Sequence, residues 1–180
     1  MDDSVLTDLN KWRQKLYSLK LIGAYDNGIG FGNLSRLESS GQFIISGSAT
    51  GNLKTLDSRH YAKVVDYNIH RNDLTCEGPI KASSESLTHA SIYENDLSAY
   101  AVVHVHDMDL WNRLKYVVPT TNENVSYGTP EMAKEIGRLF LQTDVKEKKI
   151  VAMAGHEEGI ISFGKDLNEA CEVLLRYFNG

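Results

Sequence analysis

The sequence predicts a single α/β domain. Apolar residues recur at helical spacing in the first twenty residues and again near the end of the chain, through Leu174 and Phe178. Between these segments lie short apolar runs typical of strands, such as Phe43–Ile45 and Val102–Val105. No stretch rich in proline, glycine and serine divides the chain, so we expect one domain over residues 1–180.

The composition is that of an ordinary globular protein, with 42% hydrophobic and 24% charged residues and a net charge of −5. Without a stripe of lysine and arginine the chain is a poor candidate for binding nucleic acid. The N-terminus, Met1–Val5, is acidic, and no run reaches the roughly 18 apolar residues of a membrane span. We therefore expect a cytoplasmic protein that does not bind membranes. The two cysteines, Cys76 and Cys171, form no CxxC pair and predict neither a disulfide nor a thiolate metal site.

The first helix follows from apolar spacing, and its predicted polar face carries Asp8, Lys11, Arg13 and Lys15. A glycine-dense loop at residues 28–35 then leads toward the strand Phe43–Ile45. Its GxGxG spacing does not indicate a dinucleotide site, because that fingerprint follows a strand and opens a helix.

The later elements are predicted by strand patterns and helix caps. Residues 63–68 and 74–77 are predicted to be strands, and residues 85–94 and 107–114 helices. Thr129, followed by Pro130 and Glu131, predicts the start of a helix that runs to about Thr143. Strands over 150–153 and 160–163 precede a final helix, which begins after Asp166.

Two histidines stand on one short apolar strand, in the run from Val102 to Asp107. Side chains alternate faces along a strand, so His104 and His106 project from the same side while Val103 and Val105 pack on the other. Two imidazoles buried on one face need strong partners, and a divalent ion is such a partner. His60, His70 and His89 stand alone in the sequence and are expected to be ordinary core or surface groups.

A third ligand has to come from elsewhere, because a catalytic zinc is usually held by three protein groups with one position open. The best candidate is His156, in a loop between two predicted strands where Gly155 and Gly159 allow sharp turns. The neighbouring Glu157 and Glu158 could each be a ligand, a group that orients a histidine, or a solvated charge.

Two small-residue segments are candidates for binding an anion. The loop Ser46–Asn52 offers backbone N–H groups and hydroxyls, although the residues alone favour a plain surface turn. Ser83 and Ser84 precede a helix, where either could serve as N-cap or bind an anion at the positive end of the helix dipole.

Several motifs in order resemble the class II aldolase/adducin family. They are GNLS at 32–35, the loop after the first strand, SSE at 83–85, HVH at 104–106, YGTPEMA at 127–133 and GH at 155–156. The best-known members of the family are fuculose and rhamnulose phosphate aldolases and ribulose phosphate 4-epimerases. This chain is similar to them from about Gly32 to Ala170, as a short and divergent member.

The resemblance implies a three-layer α/β/α sandwich with a central, mainly antiparallel sheet, assembled as a homotetramer with active sites between subunits. It also implies a metal, Zn²⁺, and a small phosphorylated substrate. In family terms the zinc ligands would be His104, His106 and His156, and the acid/base would be Glu85. The phosphate would be bound by Asn33, Ser48, Ser83 and Ser84, with Thr50–Gly51 replacing Ser48–Ala49 if the loop is aligned with a gap.

The expected reaction is a zinc-dependent lyase reaction, in which a sugar phosphate or hydroxy-ketone undergoes retro-aldol cleavage through a metal-bound enediolate. The same site could instead serve a sugar phosphate 4-epimerase, a ketose phosphate dehydratase or an oxo acid phosphate decarboxylase. Two other interpretations of these residues stay open. The protein could be a non-catalytic, adducin-like interaction module, or the histidines could form a structural zinc site in which Glu85 or Glu157 is the fourth ligand.

The chain departs from the aldolases in ways that bear on the substrate. Ala82 stands where the aldolases usually have proline, and the segment between HVH and YGTP is short. That segment carries, in sugar phosphate aldolases, a tyrosine donated to the neighbouring subunit; Tyr116 or Tyr127 is a candidate replacement. The short segment, and a chain that ends soon after its last helix, argue against a true fuculose phosphate aldolase.

Overall fold

A computed structural model describes residues 3–38 and 41–180 of the chain; Met1 and Asp2, from the acidic N-terminus, lie outside the described residues. The described helices are α1 (Asp3–Ser18), α2 (Ser86–Asn95), α3 (Met108–Leu114), α4 (Pro130–Gln142), α5 (Val145–Lys148) and α6 (Leu167–Asn179). The strands are β1 (Gly23–Ala24), β2 (Gly30–Phe31), β3 (Asn33–Leu37), β4 (Phe43–Ser46), β5 (Tyr61–Asn68), β6 (Asp73–Glu77), β7 (Ala101–His106), β8 (Ile150–Ala152) and β9 (Gly159–Gly164).

The centre of the fold is a seven-stranded sheet in the order β6-β5-β4-β3-β7-β9-β8. Each neighbouring pair of strands in it is antiparallel. β1 and β2 form a separate two-stranded hairpin. The predicted mainly antiparallel sheet is therefore confirmed, and it places β7, the strand with the two histidines, between β3 and β9.

Helices cover both faces of the sheet. Val103 and Val105 of β7 pack in one core cluster with the apolar faces of α1, α3 and α6. Val102 packs on the opposite face, in a second cluster with α2 and α4. The alternation predicted for β7 is confirmed, and the architecture is the expected three-layer α/β/α sandwich.

The helix caps explain where the later helices begin. The Thr129 hydroxyl accepts a hydrogen bond from the Met132 N–H at the start of α4, and Pro130 is the first helical residue. The carboxylate of Asp107 accepts one from the Leu110 N–H and starts α3. Asp166 caps α6 in the same way, through the Glu169 N–H. The predicted starts of these helices are confirmed, whereas the short helix α5 was not predicted.

One central strand was missed by the sequence patterns. Asn33–Leu37 forms β3, which pairs with β4 on one side and β7 on the other, although residues 33–35 were assigned to a glycine-dense loop. The glycines end at Gly32, whose φ of 78° requires a glycine, and the chain is extended from the next residue onward. The register places Asn33 opposite His104. The missed strand therefore brings a candidate site residue next to the histidines.

The helical position of Arg13 predicted that it lies on the exposed polar face of α1, but the structure shows that it is buried. Only 1% of the residue is exposed, because the segment after β4 covers this part of the helix. Its guanidinium donates hydrogen bonds to the backbone oxygens of Thr50, Gly51 and Lys54. These carbonyl groups replace water around the charged group.

Within residues 3–38 and 41–180, no helix has the length and apolar character needed to cross a membrane.

Candidate metal centre

A pocket of about 680 Å³ opens where β7 ends, beside the β8–β9 loop and the N-terminus of α2. It is lined by every site residue predicted from the sequence: Asn33, Ser48, Ser83, Ser84, Glu85, His104, His106 and His156. A neighbouring cleft of about 710 Å³ shares Phe31 with it but is lined by neither histidine nor carboxylate. Of these two pockets, the first therefore holds the histidines and the buried carboxylate.

Three histidines meet at the base of this pocket. One nitrogen of each of His104, His106 and His156 lies within 4.8 Å of the corresponding nitrogens of the other two. Their ring centroids are 4.6 to 5.0 Å apart. The sheet positions the first two side chains and the β8–β9 loop the third, so the predicted trio is brought together by the fold.

The polar atoms of this cluster are buried without partners. Nε2 of His104, Nε2 of His106 and Nδ1 of His156 have no hydrogen-bond partner, and neither has either carboxylate oxygen of Glu85. Buried polar groups are almost always hydrogen-bonded, since an unpaired one costs about 1–3 kcal/mol. Imidazole nitrogens and a carboxylate are ligands that divalent transition metals prefer. The residues therefore fit a divalent metal, which would satisfy these atoms.

His106 is oriented by Tyr25 and Glu158, which the sequence did not single out together. The Tyr25 hydroxyl lies 2.7 Å from Nδ1 of His106 and donates to Oε2 of Glu158, also at 2.7 Å. A hydroxyl has one proton, and here the carboxylate receives it, so Nδ1 of His106 has to be the N–H donor. The lone pair is then on Nε2, the atom that faces the other histidines. This resolves the alternatives for Glu158, which orients a histidine through Tyr25.

His104 contacts Asn33 rather than a carboxylate. Nδ1 of His104 lies 3.3 Å from Nδ2 of Asn33, while Oδ1 of Asn33 is buried without a partner. A half-turn of the amide exchanges these two atoms and lets Oδ1 accept from a protonated Nδ1. In that arrangement Nε2 of His104 carries its lone pair, as metal binding requires.

His156 is held by an aromatic ring and by close backbone packing. Its ring stacks on that of Tyr127, with centroids 4.1 Å apart and an interplanar angle of 18°. A Cβ atom on Gly155 would lie 1.9 Å from the Val125 oxygen. Gly155 is thus needed for close approach to a neighbouring loop, whereas the left-handed turn falls at Glu158, with a φ of 66°. Both glycines lie in tight turns, because the His156 N–H donates to the Met153 oxygen and the Gly159 N–H donates to the His156 oxygen.

Glu85 lies at the N-cap of α2, with 2% of its surface exposed. Its Oε1 is 4.0 Å from Nδ1 of His156. Burial raises the pKa of Glu85 to about 7, and the nearby Thr88 hydroxyl and Gly128 N–H oppose this, although neither makes a well-formed hydrogen bond to the carboxylate. A carboxyl group with such a pKa can both give and take a proton near neutral pH.

Burial also keeps the imidazoles neutral. It lowers the pKa of His106 to about 3 and of His156 to about 4. The pKa of His104 is lowered well below its usual value by burial first, and then by charge on the neighbouring histidines. Neutral imidazoles offer the lone pairs that a metal needs.

The anion-binding candidates lie around the same pocket. Ser48 and Ser84 are exposed, and Ser83 is buried. The Ser83 hydroxyl accepts a hydrogen bond from the Glu85 N–H, although the N-cap residue of α2 is Glu85 itself. The prediction that Ser83 or Ser84 is the N-cap was therefore wrong by one or two residues. Among the described residues, no lysine or arginine side chain lines the pocket.

The structure shows which of the other histidines and of the two candidate tyrosines lie at the metal centre. His89 is fully buried in the core, with its Nδ1 2.7 Å from the Ser35 hydroxyl, and His70 is exposed. Tyr127 lines the pocket of its own chain. Tyr116 is 68% exposed and donates to Glu123, outside the pocket. Of the two tyrosines, Tyr127 is therefore the one beside the histidines. Both cysteines are free, as predicted.

Residues 21–177 match the family described as the Class II Aldolase and Adducin N-terminal domain. No curated protein sequence gives a significant match. Among solved structures, YgbL from Klebsiella pneumoniae, a proposed aldolase, epimerase or decarboxylase, has a TM-score of 0.73 and 18% identity, covering 97% of this chain and 84% of that one.

Two further solved structures share the fold. An L-fuculose 1-phosphate aldolase has a TM-score of 0.73 and 20% identity, covering 97% of this chain and 82% of that one. A sugar-phosphate aldolase from Thermotoga maritima has a TM-score of 0.72 and 16% identity, covering 97% and 90%. The predicted fold class is thereby confirmed.

Tyr25→Phe is expected to weaken metal binding. Without the hydroxyl, Oε2 of Glu158 lies 3.8 Å from Nδ1 of His106, too far for a hydrogen bond, so the proton is held on Nδ1 less firmly. Loss of such an outer partner typically lowers metal affinity by about 10–100-fold. A zinc titration against a competing chelator measures this, with the exposed Tyr100→Phe as matched control. Equal affinities for Tyr25→Phe and the parent chain would contradict the assigned role.

The metal-free protein is expected to lose stability as the pH falls from 6.5 toward 4. The pKa is lowered by burial to about 3 in His89 and His106 and to about 4 in His156, and His104 is shifted the same way. Below pH 6.5 these four histidines are therefore protonated in the unfolded chain and neutral in the folded chain, a difference of four protons. Glu85, with its pKa raised to about 7, binds one proton in the folded state and offsets one of the four.

The net difference is about three protons near pH 5.5, or on the order of 4 kcal/mol of unfolding free energy per pH unit. Urea unfolding of chelator-treated protein at several pH values between 7.5 and 5 measures this slope. A stability that stays constant across this range would show that the imidazoles are not buried as described.

Proposed function

This chain belongs to the class II aldolase and adducin family, and from its membership and the geometry of its site we propose that it is a metal-dependent lyase. The proposed reaction is retro-aldol cleavage of a small phosphorylated sugar or hydroxy-ketone. The observation that carries the proposal is the meeting of three buried, unpaired imidazole nitrogens with the unpaired carboxylate of Glu85. A protein that served only as a scaffold would have no chemical need for this arrangement.

His104, His106 and His156 would hold the metal, which we propose to be zinc. Three neutral imidazoles leave the charge of the ion uncompensated and leave a coordination position for substrate, as in catalytic zinc sites. When bound, the metal would supply Lewis acidity that polarises a carbonyl and stabilises negative charge as a C–C bond breaks.

Glu85 is the proposed general acid/base. It is buried beside His156, and its raised pKa lets it hold or release a proton near pH 7. In the proposed cleavage, the carboxylate of Glu85 takes the hydroxyl proton as that oxygen becomes a carbonyl, and the C–C bond breaks with its electron pair taken up by the carbonyl of the other fragment. The carbon left behind then takes a proton, which Glu85 delivers.

The substrate phosphate would be bound by neutral donors. The candidates, Ser48, Ser83 and Ser84, line the pocket, and Ser48 follows β4, which is separated from the histidines' strand by β3. Asn33 is the fourth proposed donor, because the arrangement in which its Oδ1 accepts from His104 leaves its amide N–H groups free to donate to a ligand. A phosphate here would be held by hydroxyl and backbone groups without a lysine or arginine in the pocket wall.

Neighbouring reactions fit the same groups. The likeness to YgbL, a proposed aldolase, epimerase or decarboxylase, supports 4-epimerisation or decarboxylation as second candidates. Dehydration of a ketose phosphate needs the same proton transfer. Tyr127, stacked on His156, is the proposed replacement for the tyrosine that a partner subunit donates in the aldolases. A homotetramer and a cytoplasmic location stay predictions from the sequence.

Glu85→Gln is expected to remove catalysis while metal stays bound. Loss of a general acid/base usually lowers the rate by about 10²–10⁴-fold. Turnover is followed by NMR on a panel of sugar phosphates that begins with L-fuculose 1-phosphate, and metal content by elemental analysis of the same samples. The matched control is Glu172→Gln, on the exposed surface of α6, which should behave as the parent chain.

Two results would overturn the proposal. One is full activity in Glu85→Gln. The other is less than about a tenth of an equivalent of any divalent metal in the parent chain after zinc is added. If metal-loaded protein turned over no sugar phosphate but bound a protein partner, the adducin-like interaction module would replace the enzyme as the better account.

A further inference from the structure

Arg13 is a buried cation that reaches the back of the loop lining the pocket. Its Nη2 donates to the Thr50 and Gly51 oxygens, each at 3.0 Å, and its Nη1 to the Lys54 oxygen at 2.9 Å. Thr50 and Gly51 line the pocket, as do Ser48 and Ala49 of the same loop. One side chain on α1 thus fixes two backbone groups of the pocket wall, and a third at Lys54, which follows it in the chain.

Within residues 3–38 and 41–180, no carboxylate pairs with this guanidinium. Arg13 takes part in none of the described ion pairs and stacks on the Tyr17 ring, with Cζ 4.7 Å from its centroid. Arginine keeps its proton at neutral pH even when buried, although burial lowers the pKa of Arg13. A full positive charge therefore lies behind the loop, stabilised by peptide dipoles and by the face of the Tyr17 ring.

These dipoles have a common direction. The described peptide bonds are trans, so the N–H of each peptide group points opposite to its C=O. Because the Thr50 and Gly51 oxygens turn toward Arg13, the N–H groups of Gly51 and Asn52 turn away from it. The N–H groups of Gly51 and Asn52 are therefore oriented with their positive ends away from the buried cation, as in a loop that binds an anion.

We propose that Arg13 is a positioning residue, which holds residues 47–54 in the conformation that binds the phosphate of the substrate. This rests on the proposed function, since it takes the loop to be the phosphate site. Arg13 does not touch the anion. It fixes the carbonyl groups on one side of the loop so that the amide and hydroxyl donors on the other side are set before the ligand arrives, and it adds a positive charge where the pocket wall has none.

The test uses Arg13→Lys, which keeps the charge but replaces the planar guanidinium, whose two terminal nitrogens hold the three carbonyl groups, by a single nitrogen. Binding of inorganic phosphate and of zinc is measured separately by titration calorimetry on the full chain. The phosphate dissociation constant is expected to rise about tenfold, while zinc affinity and stoichiometry stay unchanged. The control is Tyr61→Phe, which removes the 2.8 Å hydrogen bond from β5 to Asn10 of α1 and leaves Arg13 intact.

A merely structural role for Arg13 would lower the melting temperature without changing phosphate affinity. Unchanged phosphate affinity in Arg13→Lys, or an equal loss in Tyr61→Phe, would overturn the proposal. Zinc binding without phosphate binding in the parent chain would also overturn it and leave the metal centre standing. If the parent chain bound phosphate but no zinc, and Arg13→Lys bound phosphate more weakly, the role of Arg13 would be supported. The proposal of a metal-dependent lyase would then be rejected.

If Arg13→Lys does not fold, the proposal is tested by amide hydrogen exchange of the parent chain with and without inorganic phosphate. The amides of residues 48–54 are expected to exchange more slowly when inorganic phosphate is added. Exchange that phosphate leaves unchanged would overturn the proposal.

Discussion

The constraint on which the site depends is the burial of imidazole nitrogens and a carboxylate that have no partner in the protein. His104 and His106 are fixed by the register of β7 between β3 and β9, so they cannot turn toward water without disrupting the sheet. His156 and Glu85 arrive from a loop and a helix terminus on the same side. Leaving these groups unsatisfied costs stability, and this cost makes sense for a protein that binds a metal there.

The residues around the histidine cluster form two groups: one orients the imidazole rings, and the other is proposed to bind the substrate phosphate. On one side, Tyr25 and Glu158 place the proton on the outer nitrogen of His106, and Tyr127 supports the ring of His156. On the other side, hydroxyls and backbone groups form the wall where we propose that phosphate binds, with Arg13 behind them. The metal would thus act at one end of the substrate while neutral donors hold the other.

The sequence predicted the candidate metal ligands better than it predicted the residues that hold the ligands and the pocket loop in place. Strand alternation alone placed His104 and His106 on one face, because the side-chain period of a strand is two. Tyr25 could not be found this way, since its partner Glu158 lies 133 residues away and no local pattern links them. Arg13 was misplaced because helical periodicity identifies the face that packs on the sheet, and it does not reveal that a loop covers another face.

The central claim is that one divalent ion binds to all three histidines. Anomalous X-ray scattering at the zinc edge, from crystals of the zinc-loaded protein, tests this most directly. We predict a single strong peak at about 2.0–2.1 Å from one nitrogen each of His104, His106 and His156. An ion bound elsewhere, or one that contacts fewer than three of these imidazoles, would contradict the account.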